Sequence, residues 1–196
     1  MFPKTPAIRC HDPLAELLGA GTEPFTYTFD DAVKLAGHAC PTVAGAFLLV
    51  KKGLDLLYPD TLPQRGDIAI TVPGRVDEGV TGPITQIFTL VTGAAAANGF
   101  KGLGSQFKRM DLLRFQPPAT PLNPYIFERC STGRQVRLIY SPQAFPPAPR
   151  MESLLPLILG QRASPEQRME FGQLWRQRVL DILADGGART IHEFSA

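Results

Sequence analysis

The chain has 196 residues (21.4 kDa), room for one compact domain with a short appendage, and 44% hydrophobic against 19% charged residues excludes wholesale disorder. Its formal net charge of +2 is too small for a protein that recognises nucleic acid by charge, so no nucleic-acid partner is expected. Three cysteines, Cys10, Cys40 and Cys130, imply no disulfide framework, and apolar runs such as IFTLV and LLPLIL fall far short of the ~20 residues that span a bilayer. A soluble, cytoplasmic protein with reduced thiols and no membrane contact is the expectation, the more so because the first thirteen residues lack the apolar core of a secretory signal.

In chain order, residues 12–20 predict a short helix capped by Asp12 with Pro13 in its first turn. A second helix starts in TFDDAVKLAG, with Thr28 or Asp30 as cap and Gly37 as stop. After GHACP, the residues Val43, Phe47, Val50, Leu54 and Leu57 recur at spacings of three and four and predict a long helix opened by Pro41. RGDIAITVPGRV reads as a strand. TGPITQIFTLVTGAAAANGF is rich in β-branched residues, yet Ile84, Ile87, Phe88 and Val91 keep helical period, and a buried helix running to Asn98-Gly99 is expected. MDLLRFQ predicts a strand, and YIFERC with RQVRLIY a hairpin across Ser131-Thr132-Gly133.

SPQAFPPAP is too rich in proline for regular structure. MESLLPLILG predicts a helix interrupted at Pro156. The last helix has Ser164, Pro165 and Gln167 as a capping box, an apolar face of Phe171, Leu174, Trp175, Ile182 and Leu183, and Gly186 as its end. The expected architecture is α+β: a mixed sheet of about four strands packed on helices, with a C-terminal helical pair. The expected organisation is a domain over 1–140, a linker over 141–150 and a helical extension over 151–196.

The most informative residues are GHACP, 37–41. His38 and Cys40 lie one residue apart in a turn that opens a helix, where the positive end of the helix favours a thiolate. Imidazole and thiolate together are natural donors for zinc or another divalent transition metal. The same pair also reads as an ordinary turn with a small half-buried cysteine. Ala44, Gly45 and Ala46 keep the following helix slim, so another segment or a ligand can approach closely. Cys10-His11 is a second soft pair, while Cys130 and His192 are weaker candidates.

The loop GFKGLGSQFKR offers three glycines with Lys101, Lys108 and Arg109 as a possible cradle for a small anionic ligand, although a turn from helix to strand is the commoner use of such a loop. Its glycines fit neither a phosphate-binding loop nor a dinucleotide fingerprint. Asp77-Glu78 suits the start of the helix that follows.

At GHACPTVAGAF the sequence resembles the FmdE family, the E-type subunits of formylmethanofuran dehydrogenase, whose hallmark is a Gly-His-x-Cys-Pro turn before an alanine- and glycine-rich helix. The similarity extends through RGDIAITV, GPITQIFTLVTGAA and GFKGLG, over residues 12–140. It implies an α+β fold related to the catalytic domain of glyceraldehyde-3-phosphate dehydrogenase. It also implies a metal, typically zinc, at His38 and Cys40, and kinship with an accessory component of a molybdenum or tungsten enzyme. Thr42 stands where the family usually has glycine, Gly79 and Ala94 stand where it usually has cysteine, and helices replace its occasional C-terminal zinc ribbon. The carry-over is therefore confined to His38 and Cys40.

Three functions follow as expectations. The first is a metal-binding accessory or metal-handling protein. The second is an enzyme using Cys40 as nucleophile or His38 as acid or base on a small anionic substrate held by Lys101 or Arg109. The third is a haem-binding protein through Cys40-Pro41. A homodimer is expected from the apolar surface of the two central helices.

Overall fold

The computed structural model describes residues 2, 6–117 and 123–194. It is an α+β fold with six α-helices and a five-stranded mixed sheet, one strand more than the sequence predicts. The additional sheet strand is β7 (Ile191–Glu193), and two further short strands, β1 (Ile8–Cys10) and β2 (Phe25–Tyr27), pair with each other apart from the main sheet. Segments of three residues are too short to show an alternating pattern, which is why none of these strands is visible in the sequence.

The main sheet has the order β4-β3-β5-β6-β7, formed by β3 (Ile68–Pro73), β4 (Leu113–Gln116), β5 (Tyr125–Arg129), β6 (Arg134–Tyr140) and β7. Strands β3 and β4 are parallel, so the chain crosses between them through α4 (Thr81–Thr92); the other pairings are antiparallel. Helix α4 ends five residues or more before the predicted stop: Gly93 takes the left-handed conformation (φ 73°) and its N–H caps onto the Thr89 carbonyl. The four alanines that follow look helical by composition, but Gly93 has already terminated the hydrogen-bond ladder.

Helix α3 (Pro41–Leu57) is the central element, with twelve of its seventeen residues buried. It packs on β5 and β6 on one side and on α4 on another. Two glycines, eight residues apart and so on one helical face, set how closely it meets the sheet. A Cβ on Gly53 would lie 2.8 Å from the Phe127 ring, and one on Gly45 would overlap the Tyr140 ring outright. Helix α3 therefore rests on the sheet through bare backbone, and its N-terminus is held where β6 ends.

The short helix α1 (Pro13–Leu17) is capped by Asp12, and α2 (Phe29–Ala36) by a capping box of Thr28 and Asp31. Past β6, a single 3₁₀ turn at Pro142–Ala144 leads into α5 (Pro149–Leu159), which runs through Pro156 without the predicted interruption. Gly160 N–H bonds the Pro156 carbonyl, so the chain stays helical beyond the proline. Helix α6 (Pro165–Asp185) carries the expected Ser164 and Gln167 capping box and a left-handed Gly186 stop. It packs on α3 and returns the chain to the sheet at β7. None of the described helices is long and apolar enough to cross a membrane.

Candidate functional site

The GHACP turn is made by two helix ends. Helix α2 stops at Gly37, whose left-handed conformation (φ 75°) lets its N–H cap onto the Val33 carbonyl while the chain reverses. Helix α3 starts at Pro41, where the missing N–H costs nothing. Cys40 is its N-cap in an extended conformation, and its Sγ accepts a hydrogen bond from Val43 N–H at 3.4 Å. His38 is exposed, and its Nδ1 lies 2.9 Å from the Ala36 carbonyl. Since a carbonyl only accepts, this bond requires the proton on Nδ1, which leaves the lone pair on Nε2.

Two aromatic side chains from distant parts of the chain pin this turn. Trp175 Nε1 of α6 donates to the Ala39 carbonyl at 2.8 Å, and the Tyr140 hydroxyl of β6 donates to the Pro41 carbonyl at 2.7 Å. The two carbonyls flank Cys40. Burial pushes the Tyr140 phenol well above its usual range, with the nearby Arg178 charge opposing and Cys40 reinforcing the shift, so the hydroxyl stays protonated and keeps donating. Arg178 itself is anchored through Nε on the Phe145 carbonyl at 2.7 Å. Neither aromatic pin is legible in the sequence as a partner of the turn, although the slimness of Ala44-Gly45-Ala46 signals that some segment approaches there.

The remaining candidates lie elsewhere. Cys10 is fully buried, and burial above all pushes its thiol up to about 12, with Arg65 opposing and Asp12 adding to the rise. His11 pairs with Glu16 at 2.9 Å. Cys130 is exposed beside the turn between β5 and β6, and His192 is exposed on β7. Among the described residues, no three or more His, Cys, Asp or Glu side chains gather into a metal-binding group.

Two supporting roles suggested by the sequence are not what the structure shows. Arg109 does not face a ligand in the glycine loop: it is buried and donates to Asp12 at 2.6 Å, while Arg65 grips the other carboxylate oxygen at 2.8 Å. Lys108 is paired with Asp111 at 2.7 Å, which leaves Lys101 as the exposed cation of that loop without an ion pair among the described residues. Asp77 bonds Arg75 rather than capping α4.

No protein-family model matches the chain, and a search of curated proteins finds no match.

Proposed function

We propose that this chain is a metal-binding protein of an accessory or metal-handling kind, related in fold and role to the FmdE family, in which His38 and Cys40 hold a zinc-type divalent ion. The supporting observation is the state of the two donors. With Nδ1 committed to the Ala36 carbonyl, His38 keeps Nε2 as a ligand, and this outer hydrogen bond is of the kind that orients metal-binding imidazoles. Cys40 caps the start of α3, where its sulfur accepts a hydrogen bond from Val43 N–H. The turn carrying both is fixed by Trp175 and Tyr140.

By donor type, imidazole and thiolate supply two of the four ligands of a tetrahedral zinc shell. The other positions fall to water, a small anionic ligand or a second copy of the chain, and we place the protein in the cytoplasm as a homodimer. When bound, such an ion supplies Lewis acidity and positive charge. The protein's own residues do the positioning: Ala36 holds the imidazole tautomer, and the aromatic hydroxyl and indole hold the peptides on either side of Cys40.

Elemental mass spectrometry of the purified protein tests this reading. About one zinc-type ion per chain, or per pair of chains, is expected. The double variant His38→Ala with Cys40→Ser is expected to lose it, and metal retained at wild-type stoichiometry in that variant contradicts the reading.

A second reading, an enzyme with Cys40 as nucleophile, is favoured by the hydrogen bond from Val43 N–H to the sulfur. Fast alkylation of metal-free Cys40 that zinc does not slow would move the balance towards it. Haem ligation through Cys40-Pro41 is tested by looking for a Soret band on adding hemin.

A further inference from the structure

Between the proline-rich wrap at 142–148 and the outer face of α6 lies an open cleft of about 280 Å³. Phe145, Pro146 and Leu174 give it apolar walls, and Gln177, Arg178 and Asp181 give it polar ones. We propose that this cleft binds a small organic monocarboxylate, with Arg178 meeting the carboxylate and the apolar walls holding the body of the ligand.

The state of Arg178 carries the inference. Arg65, Arg109 and Arg129 are largely withdrawn from solvent, and each meets a carboxylate: Asp12 for the first two and Asp67 for the third. Arg178 is half-buried and forms no ion pair with any described carboxylate; its Nε donates to the Phe145 carbonyl at 2.7 Å. That bond fixes the plane of the guanidinium and leaves the paired Nη groups, the edge that matches a carboxylate two-to-two.

The wall opposite is also held by a cation. Arg189 lies over the Phe145 ring, 4.7 Å from its centroid, and donates to the Ala144 carbonyl at 3.2 Å. The wrap is therefore a preformed wall rather than a loose strap, and a preformed, largely apolar cleft with a few placed polar groups is the usual form of a small-ligand site.

Asp181 sets the ligand's charge. Its carboxylate accepts from Gln177 Nε2 at 2.8 Å and leaves one negative charge on the rim. A dianion is repelled there about twice as strongly as a monocarboxylate, so the rim charge favours the singly charged ligand. The volume suits a body about the size of one aromatic ring. The site is independent of the ion proposed at His38 and Cys40, although Arg178 lies one helical turn from Trp175 on the same helix.

Calorimetric titration of the full chain with benzoate, benzamide and inorganic phosphate tests the proposal. Saturable binding of one benzoate per chain is expected, with benzamide and phosphate each about tenfold weaker or worse. Arg178→Gln is expected to lower benzoate affinity by about tenfold, the value of a charged hydrogen-bonded pair. Leu174→Trp, which fills the cleft from its apolar wall, is expected to abolish binding. The His38→Ala and Cys40→Ser variant should bind benzoate unchanged, which separates this site from the metal reading. Absence of saturable benzoate binding, phosphate binding as tight as benzoate, or undiminished binding in Leu174→Trp overturns the proposal.

Discussion

The indole Nε1 of Trp175 donates to the carbonyl of Ala39 at 2.8 Å, across 136 residues of sequence. The bond ties the C-terminal helix to the turn that carries His38 and Cys40, so residues beyond 150 take part in shaping that turn. Trp175→Phe keeps most of the ring and removes the donor. It is expected to lower unfolding free energy by about 1 kcal/mol. Its effect on zinc affinity should exceed that of an equally destabilising substitution remote from the turn. Denaturant unfolding and a competitive zinc titration of the two variants measure both effects.

Gly45 is required by contact with Tyr140. A Cβ at this position would overlap the phenol ring at Cζ, so Gly45→Ala forces the ring away and strains its bond to the Pro41 carbonyl. A loss of about 1–3 kcal/mol is expected from this overpacking. Shortening the partner, as in Gly45→Ala with Tyr140→Leu, should cost less than the sum of the single changes, because the two residues share one space. A double-mutant cycle in denaturant gives the answer.

Asp12 is the one carboxylate between the buried Arg109 and the partly buried Arg65, bonded to Arg65 at 2.8 Å and to Arg109 at 2.6 Å, and it also caps α1. Burial lowers the proton affinity of Arg109, with the Asp12 charge opposing. Asp12→Asn keeps the shape and removes the charge, leaving two guanidinium groups without their counterion. It is expected to cost about 3–5 kcal/mol, the largest single effect predicted for this chain. Thermal unfolding at neutral pH measures it; a change within about 1 kcal/mol is the result that would falsify this view of the cluster.

Acid stability should depend on Asp31. The Thr28 backbone N–H and hydroxyl donate to its carboxylate at 2.9 and 2.7 Å and, with a smaller part from Lys34, hold its pKa below the ordinary 3.8. The folded state therefore favours the ionised form. Its contribution is fully present above the unfolded value of 3.8 and is lost as pH falls through the lower folded value. The melting temperature of Asp31→Asn is expected to lie below wild type at about pH 6, with the gap closing below pH 3.8. A gap independent of pH contradicts the capping role.

The helices at the centre of this fold are legible because their punctuation agrees with their period. Helix α3 has proline at its start and apolar residues at spacings of three and four, and α6 has Ser164 and Gln167 at one end and Gly186 at the other. The end of α4 is not legible, since Gly93 stops a helix in front of four alanines that favour continuing it. The same limit applies to the site. His38 and Cys40 stand out because soft donors adjoin a helix start. Trp175, Tyr140 and Arg178 do not, because contacts made over such separations leave no local pattern. Arg109 shows the converse: a glycine-rich loop with basic residues suggests an anion cradle, while tertiary packing turns this arginine inward onto Asp12.

Thiol reactivity with and without zinc tests the central proposal most directly. Iodoacetamide labelling followed by peptide mass spectrometry reports Cys10, Cys40 and Cys130 separately. Buried Cys10, with its thiol raised to about 12, should resist labelling until the protein unfolds; Cys130, exposed but with its thiol raised by partial burial and by Asp67 and Glu128, should react slowly and at the same rate in both conditions. With His38 intact, equimolar zinc is predicted to protect Cys40 and leave the rate at Cys130 unchanged; in His38→Ala that protection should be lost. Cys40 labelling at one rate with and without zinc, in the wild-type chain, would contradict a metal held between His38 and Cys40.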